Sequence, residues 1–150
     1  MSAVRAFKNA NRVKHERNWD TLYILLDVHG TIMKPNWDGL SEEFYPHCLD
    51  VLRHITTDPL YKIIMWTCSK EDDRSHYKEL LEKEGISIHY TNENPEVKGK
   101  LNWGDYDSKL YCNVLLDDKS GFCPIEEWIE LKKHFGIWGH TPELTTRTFL

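Results

Sequence analysis

Three carboxylates, Asp27, Asp117 and Asp118, and one hydroxyl, Thr67, each stand directly after a short apolar run. Carboxylates brought together repel one another unless something neutralises them. A hard cation such as Mg²⁺, held by oxygen ligands, is the usual solution. Asp27, Asp117 and Asp118 are therefore the expected metal ligands. Gly30-Thr31 follows Asp27 and allows a tight turn whose N–H groups face an anion. Thr67 and Ser69 offer hydrogen bonds to phosphate oxygens, and Cys68 between them is counted with that phosphate-facing segment. A plain structural thiol is the alternative for Cys68. A lysine from the loop after the third strand would balance the phosphate charge.

The elements that must position these residues can be read from the pattern. Leu22 to Leu26 (LYILL), Lys62 to Trp66 (KIIMW), Ile86 to Tyr90 and Tyr111 to Leu116 (YCNVLL) predict strands. Helices are predicted from Ser41 to about His54, over Glu71 to Glu84 with Gly85 as the stop, and over Ile125 to His134 with Pro124 at the start. Residues 91 to 108 read as a loop with room for a short helix. Strands alternating with helices predict an α/β fold: a three-layer α/β/α sandwich with a Rossmann-like, mainly parallel sheet. Ligands of such sheets bind at the carboxyl ends of the strands, where Asp27, Thr67, Asn92 to Asn94, Asp117 and Asp118 all lie.

The order of these parts resembles the haloacid dehalogenase-like phosphohydrolase superfamily. The matching stretches are LLDVHGTI (Leu25 to Ile32), IIMWTCS (Ile63 to Ser69) and VLLDDKSGF (Val114 to Phe122). The segment TNENP (Thr91 to Pro95) is similar to small bacterial and phage members, and the resemblance covers about residues 20 to 135. It implies that Asp27 attacks phosphorus, forms an aspartyl-phosphate and binds Mg²⁺ together with the main-chain carbonyl of His29. It further implies that Thr67 holds the phosphoryl oxygens and that Asp117 and Asp118 complete the metal site. Lys98 or Lys100 would be the charge-balancing lysine. Lys109 competes by sequence, but a six-residue strand after it would put it roughly 20 Å from the site.

The sequence departs from that superfamily at His29. Most of its phosphatases carry a second Asp there, which protonates the leaving group and then activates water. Imidazole can serve either role, since it titrates near neutrality, and such help is worth about 10²–10⁴-fold in rate. A nearby Mg²⁺ would weaken it as an acid. The expected activity is a Mg²⁺-dependent phosphomonoesterase, and the alternative is a weak or inactive phosphate- or nucleic-acid-binding module. About thirty-five residues separate Thr31 from Thr67, and about twenty separate the third and fourth strands. Neither gap holds a cap domain, so the site should be open and suit a large phosphorylated substrate. Pro35, Trp37 and the loop to Leu40 could form a small flap. A phosphoacceptor receiver domain also groups acids, Thr and Lys at strand ends, but it places the acid pair first, whereas here the pair comes last.

Composition sets the frame. With 150 residues, 40% of them hydrophobic, the chain can bury one core without staples. The net charge of −5 is interspersed except at the N-terminus, where Arg5, Lys8, Arg12, Lys14 and Arg17 face only Glu16. Residues 1–19 therefore read as a basic arm open to nucleic acid, or more plainly as a solvated helix face. Cys48, Cys68, Cys112 and Cys123 match no zinc spacing, which suggests reduced thiols in a cytosolic protein. No apolar run reaches membrane-spanning length and no signal peptide is evident, so a soluble cytoplasmic chain is expected. The other histidines scatter and receive no role.

Overall fold

The computed structural model describes residues 2–137. The polar, Thr-rich tail after Trp138, His140 included, lies outside the described residues. Helix α1 spans Ala3–Arg17 and buries Ala3, Phe7 and Ala10, which share one face at helical spacing. Ser2 caps it by accepting the Arg5 N–H at 3.3 Å, and Asn18 closes it in the left-handed region at φ 58°. Residues 3–17 are thus an anchored helix rather than a free arm. Arg5, Lys8, Arg12 and Arg17 line its exposed face.

Strand β1 covers Leu22–Asp27, and helix α2 covers Cys48–Thr57. The helix expected from Ser41 therefore begins later. Pro46 lacks an N–H and disfavours helical geometry at Tyr45. The preceding backbone closes instead against the turn after β1. Lys34 N–H donates to the Glu43 carbonyl and Tyr45 N–H to the Ile32 carbonyl, each at 2.9 Å. Ser41 is wholly buried in this loop.

Strand β2 is Tyr61–Trp66 and helix α3 is Glu71–Lys83, with Glu71, Asp72 and Asp73 suiting the positive end of its dipole. Strand β3 is only Tyr90–Thr91, shorter than the predicted Ile86 to Tyr90. His89 explains this: its Nδ1 accepts the Ile63 N–H at 3.1 Å, so a side chain fills a ladder position. Strands β4 (Lys100–Leu101) and β5 (Gly104–Asp105) form an antiparallel hairpin where a short helix was an option. Strand β6 is Val114–Leu116, again shorter than expected. Asn113 ends the ladder by exchanging two hydrogen bonds of 2.8 Å with the Tyr23 backbone, one of them through its side chain. A single turn, Asp118–Ser120, leads to helix α4 at Pro124–His134.

The main sheet is wholly parallel, in the order β3-β2-β1-β6. Alternation along β1 divides the core. Leu22, Ile24 and Leu26 pack with the buried residues of all four helices, whereas Tyr23 and Leu25 pack with Ile64 and residues from Tyr90 to Leu115. The result is a Rossmann-like α/β fold in three layers. Helices form one outer layer and the segment 92–112 forms the other. Among the described residues no separate cap domain covers the strand ends. The excursion 34–43 is a small loop, and Trp37 on it is 94% exposed rather than packed.

Trp128 of α4 is wholly buried, and its Nε1 donates to the Thr31 carbonyl at 2.7 Å. Trp128→Ala should cost about 3–5 kcal/mol in urea unfolding, through lost packing and an orphaned carbonyl. Trp128→Phe should cost less, about 1–3 kcal/mol, if the hydrogen bond matters separately from the ring.

Candidate active site

Register brings the site together. Asp27 pairs with Trp66 and Leu26 with Leu116, so the chain leaves β1, β2 and β6 at one level. Asp27 ends the central strand. Thr67 follows the neighbour on one side and Asp117 the neighbour on the other. Carboxylate oxygens of Asp27, Asp117 and Asp118 all lie within 4.8 Å of one another.

Thr31 organises this cluster. Its side chain is fully buried; Oγ1 accepts the Asp118 N–H at 3.0 Å and donates to Asp27 Oδ2 at 2.9 Å. A hydroxyl has one proton, so Asp27 Oδ2 is held as an acceptor. The turn that carries Thr31 is closed by Gly30 N–H to the Met33 carbonyl at 2.9 Å and by the Ile32 and Met33 N–H groups on the Val28 carbonyl. Gly30 sits at φ +80°, and a Cβ there would come within 2.7 Å of Asp118 Oδ2. Glycine thus permits both the turn and the approach of Asp118. Asp117 accepts the Lys119 N–H at 2.9 Å, which starts the following turn.

The electrostatics reflect crowding. Burial pushes the Asp27 carboxyl up to about 7, the Thr31 hydroxyl pulls it back, and Asp117 and Asp118 add to the rise. Burial also raises Asp117, opposed by the Lys119 N–H and reinforced by Asp118. Three hard oxygen donors crowded together suit a hard divalent cation, which would supply positive charge between them.

Thr67 is 8% exposed and held by a backbone clamp. Asn92 Oδ1 accepts the Thr67 N–H at 2.8 Å, and Asn92 Nδ2 donates to the Thr67 carbonyl at 2.7 Å. Asn92 does this from the left-handed region, φ 55°, which Asn tolerates better than most residues. The Thr67 hydroxyl donates to Ser69 Oγ at 3.0 Å and accepts the Ser69 N–H at 3.2 Å. Cys68 is exposed beside it.

His29 turns towards α3. Its Nε2 lies 2.9 Å from the Tyr77 hydroxyl, with the two rings edge-on. Burial lowers its pKa, and Asp73 opposes that. Nothing in the sequence marks Tyr77 as a neighbour of His29, because an aromatic inside an amphipathic helix looks like core. The same holds for Trp128. Asn92 was marked by its place after a strand, but its clamp on Thr67 was not.

Lys98 lines a cleft with Trp66, Asn92, Ser108 and Leu110, whereas Lys100 lies exposed in the β4–β5 hairpin. Neither pairs with Asp27, Asp117 or Asp118 among the described residues. Lys109 is not separated from the strand ends by a six-residue strand. The strand expected from Tyr111 begins only at Val114, and the neighbours of Lys109, Ser108 and Leu110, line the cleft beside Trp66 and Asn92.

No family model matches the chain, and no curated protein matches it. Among solved structures, a conserved protein from Bacteroides thetaiotaomicron superposes with a TM-score of 0.56 at 23% identity, over 80% of this chain and 99% of that one. That likeness shows a shared fold. No described helix is long and apolar enough to cross a membrane.

Two predictions follow from the crowding. The folded state holds the Asp27 proton at about 7, against 3.8 for the free side chain. Stability from this group is therefore full at low pH and lost as pH rises towards 7. Asp27→Asn should raise the Tm of the metal-free protein at about pH 8, by about 2–4 °C for each ~1 kcal/mol of relieved strain, and the gain should vanish near about pH 4. Equal gains at both pH values would contradict it. Gly30→Ala should lower stability by more than about 1 kcal/mol and weaken divalent-cation binding measured by calorimetry, because the new methyl displaces Asp118.

Proposed function

We propose that this chain is a Mg²⁺-dependent phosphohydrolase of the haloacid dehalogenase-like type, acting through an aspartyl-phosphate on Asp27. The observation that carries the reading is the cluster of Asp27, Asp117 and Asp118 around the Thr31 hydroxyl at the carboxyl end of a parallel sheet. Asp27, Asp117, Asp118 and the His29 carbonyl would hold the cation, which when bound offsets phosphate charge and polarises phosphoryl oxygens.

The side chains divide the work. Thr31 fixes Oδ2 of Asp27 and so presents the other carboxylate oxygen to phosphorus. Attack forms the Asp27–phosphorus bond as the bond to the leaving oxygen breaks. Water then attacks phosphorus and frees Asp27. Thr67 would swing its hydroxyl from Ser69 to a phosphoryl oxygen while Asn92 keeps its backbone in place. The turn from Gly30 to Thr31 lies beside the same anion, and Lys98, Lys100 or Lys109 would balance its charge.

The absence of a cap among the described residues favours a large phosphorylated substrate. The exposed cations on α1 make nucleic acid one such partner. Cytosolic placement fits four cysteines that form no disulfide.

Hydrolysis of an aryl phosphate should require Mg²⁺ and fall at least ~10³-fold in Asp27→Asn, as expected for removal of a nucleophile. Unchanged turnover in that variant would sink the assignment. Alanine substitution of Lys98, Lys100 and Lys109 in turn should single out one lysine, with a loss of about 10²-fold in kcat/KM.

A further inference from the structure

Trp66 is 38% exposed at the end of a strand whose other apolar residues are buried. It pairs in register with Asp27, and alternation puts both on the face of the sheet that carries Tyr23, Leu25 and Ile64. Neighbouring strands lie about 4.8 Å apart, so Trp66 stands one strand from the proposed nucleophile. It lines a cleft of about 320 Å³ together with Asn92, Glu93, Lys98, Tyr106 and Asp107. Clefts of this size take small ligands. Asn92 also clamps Thr67, which ties the cleft to a second strand end of the site. The walls are already built. Tyr106 N–H donates to the Gly99 carbonyl at 2.9 Å, and its ring lies edge-on against Tyr111. A Cβ on Gly104 would come within 3.1 Å of that ring, so glycine lets it lie there. Buried Asn94 donates to the Tyr111 carbonyl at 3.0 Å and accepts the Glu96 N–H at 3.1 Å. Among the described residues the Glu93 and Lys98 side chains have no hydrogen bond or ion pair, so they are available to a ligand.

From this geometry, and resting on the hydrolase reading above for its link to turnover, we infer that the cleft is the subsite for the leaving group and takes a planar, uncharged heterocycle with N–H donors at its edge, as a nucleobase has. Trp66 and Tyr106 offer the aromatic surface on which a flat ring stacks. Ionised Glu93 and Asp107 are acceptors only, so they suit N–H groups at the edge of that ring, and Lys98 is a donor for a ring nitrogen or carbonyl. Two carboxylates against one ammonium disfavour a second anionic group in the cleft, such as a sugar acid or a polyphosphate tail. The phosphate itself stays with Asp27 and Thr67, one strand away. A free nucleotide and the phosphorylated end of a nucleic-acid strand would supply the same ring.

Binding is read apart from turnover, by NMR of the Asp27→Asn protein titrated with millimolar adenosine, guanosine, cytidine or uridine monophosphate. The indole N–H signal of Trp66, assigned by its loss in Trp66→Phe, should shift with at least one of them. The signal of Trp103, in the separate groove that shares Tyr106, should not. No shift of Trp66, an equal shift of Trp103, or tighter binding of phenyl phosphate than of any nucleotide overturns the inference. Turnover of the best nucleotide is then compared with that of glycerol phosphate. The ratio of the two kcat/KM values should fall at least ~10-fold in Trp66→Leu, the size of one base–aromatic stack, and recover in Trp66→Phe, which keeps a ring. An unchanged ratio in Trp66→Leu also overturns it. If that variant does not fold, Gly104→Ala decides in its place: it displaces Tyr106 without removing it, so the ratio should fall, and an unchanged ratio counts against the subsite. Preference for a terminally phosphorylated oligonucleotide over the free nucleotide would assign the ring to a strand end, and the reverse to a free nucleotide; both uphold the subsite. Failure to hydrolyse any phosphate would overturn the hydrolase reading, while the Trp66 titration would still decide whether the cleft takes the ring.

Discussion

The hydroxyl of Thr31 links the two strand ends of the site. It donates a hydrogen bond to Asp27 and accepts one from the backbone N–H of Asp118. Its own carbonyl is held by Trp128, so the turn after β1, the turn after β6 and helix α4 meet at one buried residue. This bonding matters because the groups it gathers repel each other. Holding three carboxylates within 4.8 Å works against their charge, and the Asp27 carboxyl is pushed up first by burial and then by Asp117 and Asp118. The fold supplies the constraint through rigid elements. β1 is central in the sheet, and α4 buries Trp128 completely.

The same structure explains why the site is left open. The chain spends residues 28–47 on a tight turn, a small exposed loop and an extended return, and places helix α2 only after Pro46. The connection from β3 to β6 crosses the other face of the sheet and covers Tyr23, Leu25 and Ile64. Both long connections are therefore used for packing and turning. Among the described residues little remains to fold over the carboxylates.

His29 links this architecture to the proposed chemistry. Its backbone belongs to the turn beside Asp27, but its ring belongs to α3, through Tyr77. A side chain so placed is oriented by the helix layer rather than by the substrate.

The α/β class, the parallel sheet and the strand-end acids were legible in the sequence because each rests on local pattern. Short apolar runs such as LYILL, bounded by polar residues, suit a strand buried on both faces, and the residue after such a run emerges at the strand's carboxyl end. Strand lengths and loop shapes were not legible. His89 and Asn113 replace ladder bonds with side-chain bonds, and Pro46 stops a helix that Ser41, Glu42 and Glu43 would have started. These depend on partners distant in sequence. So do the clamps on the site: Asn92 on Thr67, Trp128 on Thr31 and Tyr77 on His29 lie 25, 97 and 48 residues away along the chain. Sequence pattern determined which residues stand at the strand ends. Only the tertiary structure decided how they are held, because a hydrogen bond across the sheet leaves no periodic mark in the chain.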